Sequence, residues 1–145
     1  MSVIELEKSL SSNIRELAFV ANNGELAWNR DSIAKAIDEI VGNNYLILGG
    51  EVWMLFPIDE NIRLRLTSGT LKETKYLVSG EVICENELTG IYGWTYKTNG
   101  KNWVECVHKS AQESLNWIIE NDLESKVVKE YKNNIYYNLT LRAKE

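Results

Sequence analysis

The chain of 145 residues holds one proline, one histidine and two cysteines. Each scarcity excludes something. With Pro57 alone, no proline-rich linker or tail divides the chain. With His108 alone, metal centres that draw two or more imidazoles from one chain are excluded. Cys84 and Cys106 have no cysteine or histidine neighbour at zinc spacing, so they read as two reduced, buried thiols in a cytoplasmic protein. No apolar run approaches the roughly 18 residues of a membrane span. The opening "MSVIELEKSLSSNIREL" lacks the basic start and apolar block of a secretion signal. Without secretion, the glycosylation pattern "NLT" at Asn138 carries no weight. Positive charge is also short. Sixteen Lys and Arg against 21 Asp and Glu leave a net charge of −5 and a pI near 5.0. Such a chain repels phosphate backbones, which argues against direct nucleic-acid binding. The same field speeds the encounter with a basic partner.

What remains is ordinary globular composition, 44% hydrophobic and 26% charged. A chain of this length buries about 68–70% of its unfolded surface and needs no staples. With no repeat and no low-complexity stretch, residues 1–145 read as one domain.

Hydrophobic periodicity gives the elements. Val3, Leu6, Leu10, Ile14, Leu17 and Val20 predict one helix over 3–20, ended by Asn22-Asn23-Gly24. Glu25 to Trp28 is a short extended piece. A second helix follows with Asn29 or Asp31 as its cap, Ile33, Ala36, Ile37 and Ile40 as its buried stripe, and Gly42 as its stop. "YLIL" and "EVWMLF" are strand pieces, Leu46 to Leu48 and Val52 to Leu55, around a kink or turn at Gly49-Gly50. Alternation in "IRLRL" (62–66) predicts a strand with Arg63 and Arg65 outward. Further strands lie in "TKYLVSGEVICENELTGIYGWTYK", with turns at Ser79-Gly80 and Thr89-Gly90. Tyr92, Trp94 and Tyr96 share one strand face there. "TNGK" turns into the longest helix, about 102–121, with Trp103, Val107, Ala111, Leu115, Ile118 and Ile119 buried. "NNIYYNLTLRA" closes the chain as a strand with Ile135, Tyr137, Leu139 and Leu141 inward. This order predicts an α+β fold: an antiparallel or mixed β-sheet of about five strands with helices packed on one side.

Candidate chemistry is thin. Glu105 and His108 have the Glu-x-x-His spacing of di-iron helices, but a second pair is missing. Glu105 and Lys109 form a solvated i, i+4 pair instead. "GWTYKTNGK" has the wrong spacing for a phosphate loop, and Asn102 stands where Ser or Thr must follow the lysine. No nucleophile elbow accompanies His108. Gly49-Gly50-Glu51 matches the first residues of the cyclic dinucleotide synthase hairpin, but Val52 and Trp53 follow where an acid and an aromatic belong. The paired acids Asp59-Glu60 and Glu85 with Glu87 lie in predicted turns, where solvated carboxylates form a binding surface more readily than an acid–base pair. No catalytic residue, metal ligand or cofactor is expected. The five tryptophans are core or interface anchors, with Trp103 in the core.

Two blocks carry a family resemblance. "AWNRDSIAKAIDEIVGNNYLILGGEVWML" resembles the front half of the immunity protein forty family of bacterial polymorphic toxin systems. That family has a short strand, a helix and an aliphatic strand running into Gly-Gly-Asp-Val-Tyr. Gly49, Gly50, Glu51, Val52 and Trp53 stand at those places, with Glu for Asp and Trp for Tyr. "GWTYKTNGKNWVECVHKSAQESLNWI" resembles the second block, with Trp94, Lys109, Ser110 and Trp117-Ile118 in its positions. "YYNLTL" resembles the last strand. The resemblance implies a cytoplasmic immunity protein that binds and neutralises a cognate toxin, a nuclease-type domain whose basic cleft an acidic protein can occupy. The partner is then the toxin's C-terminal domain, with no nucleic acid and no membrane bound directly. The side chains expected to meet it are Glu51, Asp59, Glu60, Glu85 and Glu87 for charge and Trp53, Tyr92 and Trp94 as anchors. Gly49 and Gly50 shape the strand. The alternative is a non-catalytic ligand- or peptide-binding scaffold with a pocket lined by Trp53, Trp94 and Tyr96.

Overall fold

The structure, a computed structural model, describes residues 2–21, 24–56, 75–78, 81–84, 93–97, 99–124 and 135–144. The N-terminal segment is two short helices, α1 (Val3–Lys8) and α2 (Ser12–Glu16), and then a strand, β1 (Phe19–Val20). The single helix expected over 3–20 is interrupted because "SLSS" supplies hydroxyls that compete with helical bonding. The Ser9 hydroxyl bonds the Leu6 carbonyl, and Ser11 caps α2 by accepting from the Ile14 N–H. β1 forms an antiparallel hairpin with β2 (Leu26–Asn29). Gly24 takes φ +91° in the connection, a conformation other residues rarely adopt. The expected extended piece at Glu25–Trp28 is therefore strand.

α3 (Ile33–Gly42) is entered through Asn29, whose Oδ1 accepts from the Ser32 N–H at 3.0 Å. Its expected stripe of Ile33, Ala36, Ile37 and Ile40 is buried. Gly42 is its last residue, and Asn44 rather than glycine makes the left-handed turn, at φ 62°. The chain then runs through β3 (Leu46–Phe56), β4 (Lys75–Val78), β5 (Glu81–Cys84), β6 (Gly93–Thr95), α4 (Trp103–Glu124) and β7 (Ile135–Arg142). The sheet order is β1-β2-β7-β3-β4-β5, with β6 also paired to β3. β3 and β4 are parallel and the other pairs antiparallel, so the α+β fold has a mixed sheet. β4 and β5 pair on either side of Ser79-Gly80, where a turn was expected. The "IRLRL" segment and the Thr89-Gly90 turn lie outside the described residues.

The helices pack on one face of the sheet. Leu6, Leu10, Ile33, Ile37, Ile40, Ala111 and Ile118 meet Trp28, Ile47, Val52, Ile135, Tyr137, Leu139 and Leu141 in one core. The inward set of β7 matches the alternation read from sequence. The stripe of α4 does not match it fully. Ile119 is 57% exposed and Trp103 and Leu115 are half-buried, while Ser110 and Ser114 are buried beside Val107, Ala111 and Ile118. Trp103 instead tethers the start of α4, its Nε1 donating to the Asn44 carbonyl at 2.8 Å. On the opposite face, Trp53 and Ala27 pack with Phe19, Ala21 and Tyr136. Asn138 is buried in β7 with its Nδ2 donating to the Leu26 carbonyl, so the glycosylation pattern falls on an enclosed side chain.

One buried acid ties α1 to this frame. Glu7 is 2% exposed, and its Oε2 accepts from the Leu26 N–H at 2.7 Å. Its Oε1 is buried with no partner among the described residues. Burial pushes its carboxyl from 4.5 up to about 7, with Glu25 adding to the shift and the Leu26 N–H opposing it. A folded-state value above the unfolded one means that the folded protein holds the proton more tightly. The stabilisation is complete below pH 4.5 and is lost as pH rises through about 7. Urea midpoints measured at pH 5 and pH 8 should therefore rise more on acidification in the native chain than in Glu7→Gln. Equal pH slopes in the two proteins would contradict the assignment.

Candidate functional site

The two glycines in the most hydrophobic segment do not form a turn. β3 runs unbroken through them, with a register shift between Ile47 and Gly49 where it pairs with β7. Leu48 is the extra residue of this bulge. The bulge resolves a conflict of phase. Ile47 and Val52 are five residues apart, so an unbroken alternation would send them to opposite faces. With one residue inserted, both reach the helix-side core.

The glycines serve a second strand. β6 pairs antiparallel with β3 at Gly49↔Thr95, Gly50↔Trp94 and Glu51↔Gly93. The Tyr96 N–H continues the ladder to the Leu48 carbonyl at 2.8 Å. A Cβ at Gly49 would overlap the Trp94 carbonyl. One at Gly50 would overlap the Trp94 indole and lie 2.8 Å from the Asn138 carbonyl. One at Gly93 would overlap the Gly50 carbonyl. Three glycines at one crossing let the backbones close up and the Trp94 ring lie directly on β3.

α4 fixes that ring from the other side. Trp94 Nε1 donates to Ser114 Oγ at 3.0 Å, and Ser114 Oγ donates to the Ser110 carbonyl at 2.8 Å. Ser110 Oγ accepts from the Ile47 N–H at 3.1 Å, just before the bulge, and donates to the Val107 carbonyl. Each hydroxyl thus donates once and accepts once, as a buried hydroxyl must. Trp117 stacks on Trp94 with ring centroids 4.8 Å apart and an interplanar angle of 27°, and Tyr137 meets Trp94 edge to face.

Two clefts share β6. One, about 330 Å³, lies over Gly49, Gly50 and Gly93 and is edged by Leu48, Glu51, Thr95 and Thr140. The other, about 460 Å³, lies between β6 and α4 and is edged by Trp94, Lys97, Glu113, Asn116, Trp117 and Glu120. The crossing therefore offers polar, partly acidic concavities around a rigid aromatic pair.

Of the residues expected to meet a partner, Glu51 and Trp94 are brought together here. Trp53 is a correction. It is 1% exposed, enclosed by Ala27, Phe19, Ala21 and Tyr136, and its Nε1 donates to Glu51 Oε2 at 3.1 Å. It orients Glu51 and cannot itself be touched by a partner in this state. Neither Trp53 nor Tyr96 lines either of these two clefts. Asp59, Glu60, Glu85, Glu87 and Tyr92 lie outside the described residues. His108 is exposed on α4, and Glu105 pairs with Lys109 at 3.1 Å as the spacing predicts. The Lys101 N–H, and then Lys109, hold the Glu105 carboxyl below its ordinary range. Cys106 is half-buried rather than buried, with its Sγ accepting from the Gly100 N–H. Among the described residues no group of three or more His, Cys, Asp or Glu could hold a metal, and no helix is long and apolar enough to cross a membrane. Ser114 is the site residue that sequence reasoning missed. Its signal was a serine one turn after Ser110, in line with the buried stripe.

Gly50→Ala and Gly93→Ala should each lower stability by about 1–3 kcal/mol, because backbone and indole must move aside. Gly42→Ala, which meets nothing within 4 Å, is the control and should leave the urea midpoint unchanged or raise it. Ser114→Ala leaves the indole N–H without its acceptor and should cost about 1–3 kcal/mol. Its signature is a changed Trp94 indole N–H resonance, and an unmoved resonance would remove Ser114 from the site. Against family models, curated proteins and solved structures alike, the chain has no match.

Proposed function

We propose that the chain is an immunity protein: a non-catalytic inhibitor that binds a cognate bacterial toxin domain, of nuclease type, and covers its active site or substrate cleft. One observation carries the reading. The two sequence blocks that resemble the immunity protein forty family, separated by more than thirty residues of chain, pair with each other strand to strand at Gly49–Glu51 and Gly93–Thr95. Segments that share a pattern because they share a task would meet in this way. The net charge of −5 supports a basic partner surface, and a nuclease cleft built for phosphate is such a surface. Glu51 is the acid of the crossing, held at its Oε2 by the buried Trp53. A carboxylate fixed before binding loses little side-chain freedom when it docks. Asp59, Glu60, Glu85 and Glu87, which lie outside the described residues, are the other acids that the reading expects to meet the toxin. Catalysis and cofactors have no part in it, and the compartment is the cytoplasm, where the toxin acts.

The test is co-expression with candidate toxin domains, beginning with any encoded next to this chain. Growth should be restored and a complex should co-purify. Reversing Glu51, Glu85 and Glu87 together should weaken the complex and flatten its salt dependence, since buried interfacial acids contribute about 2–5 kcal/mol each on truncation. Failure to protect, with both proteins expressed and folded, would reject the function.

A further inference from the structure

Strand β6 is paired on one side. Gly50↔Trp94 is the central pair of its ladder with β3, and two residues on the Tyr96 N–H bonds the Leu48 carbonyl. In an antiparallel ladder such bonded pairs alternate with unbonded ones. Trp94 and Tyr96 therefore turn their main-chain groups towards β3, while Gly93 and Thr95 turn theirs away from it. Among the described residues no strand meets that outer side, because β6 pairs with β3 alone and β4 joins β3 further along, at Trp53–Phe56. The N–H and C=O groups of Gly93 and Thr95 are a template for another strand.

The larger cleft runs along this edge. β6 contributes Gly93, Thr95 and Lys97 to it, the alternate residues of the outer side, together with Trp94. Opposite them α4 presents Glu113, Asn116, Trp117 and Glu120, the i, i+3, i+4, i+7 pattern of one helix face. The two walls match in length: Gly93 to Lys97 spans about 13 Å of extended chain, and Glu113 to Glu120 about 10 Å of helix. Thr95 and Lys97 are exposed. A groove between an open strand edge and a helix is what an extended segment fills by strand addition, with main-chain hydrogen bonds supplying the affinity. The edge is also fixed in advance. The Ser114 hydroxyl holds the Trp94 indole and the ring sits on Gly50, so little ordering of β6 remains for binding.

We propose that the outer edge of β6 receives an extended, basic segment of the bound toxin, which adds to the sheet as a further strand and lies in the groove against α4. The inference rests on the toxin-binding reading for the source of that segment, and on the edge and its groove for the mode of binding. The net charge of −5, with Glu120 exposed on the groove wall, favours a segment that carries Lys or Arg. The same charge opposes a second copy of this chain as the occupant.

Three measurements on the full chain test it. In the first, acetyl-Lys-Val-Thr-Val-Lys-amide is titrated at millimolar concentration while backbone amide resonances are followed. Those of Gly93 and Thr95 should shift saturably. The same peptide N-methylated at every residue should leave them in place, and its counterpart with Glu for Lys should bind more weakly. No shift, or an equal response to either control peptide, overturns the proposal. In the second, Thr95→Pro removes an outward N–H that β3 does not use. The Trp94 indole N–H resonance should stay in place while the complex with the toxin domain weakens about tenfold or more. A folded variant with an unchanged complex overturns the proposal, as does self-association of the native chain that Thr95→Pro abolishes, which would assign the edge to a second copy. The third needs no substitution. Hydrogen exchange at the Gly93 and Thr95 amides should slow about tenfold or more when the complex forms. A complex without that protection overturns the proposal and leaves the proposed function standing. If the lysine peptide adds to the edge while no complex with a toxin forms, the strand-receiving edge stands and the toxin-binding reading fails.

Discussion

The structure depends on one close approach, the seat of the Trp94 indole on the backbone of β3 at Gly50. A side chain at Gly50 or Gly93 would force the two strands apart. The Trp94 ring would then lose Ser114, and Ser114 links through the Ser110 carbonyl to the hydroxyl that takes the Ile47 N–H at the bulge. Strand β6, helix α4 and the bulge of β3 are therefore one unit. The unit is polar where a core is usually apolar, and it is tolerable because every hydroxyl in it is both a donor and an acceptor.

The bulge is the less obvious half of the same design. It inserts Leu48 so that Ile47 and Val52 can both face the helices. That change of phase leaves Gly50 on the helix side, opposite Trp94. If the same sequence ran in unbroken alternation from Ile47, with no bulge, Glu51 would take the helix face and bring a carboxylate into the core. The placement of Glu51 on the opposite face, beside Trp53, thus follows from an irregularity three residues upstream. A one-residue slip in a strand reverses every side chain beyond it, which is why such bulges are built in rather than tolerated.

Much of this was legible from the sequence, and the failures have physical causes. The stripe of α3 and the alternation of β7 could be read because a single period governs each: Ile33, Ala36, Ile37 and Ile40 in one, Ile135 to Leu141 in the other. The helix expected over 3–20 was misread because its apolar spacing is helical while Ser9 and Ser11 divert the local hydrogen bonds. In the α4 stripe Val107, Ala111 and Ile118 are buried as expected, while Trp103, Leu115 and Ile119 entered the expectation because they are large and apolar. The remaining buried positions went to Ser110 and Ser114, whose burial makes sense only once the Trp94 indole and the Ile47 N–H are known to lie opposite. Trp53 could be core or surface on sequence alone. Alternation from Val52 gives its face, but nothing local says that Ala27, Phe19, Ala21 and Tyr136, distant in sequence, will pack with it there.

The same geometry bears on the proposed toxin binding. Binding through flexible acidic loops gives attraction and speed but loses side-chain freedom on docking. Here Glu51 is hydrogen-bonded to a buried indole on one face of the sheet, and on the other face the Trp94 ring is seated on the backbone of a glycine. Rigidity of this kind lowers the side-chain freedom lost when a surface docks. It also explains why a small domain would give interior space to serines and glycines rather than to leucine. The packing surrendered at the crossing holds the Trp94 ring in one orientation.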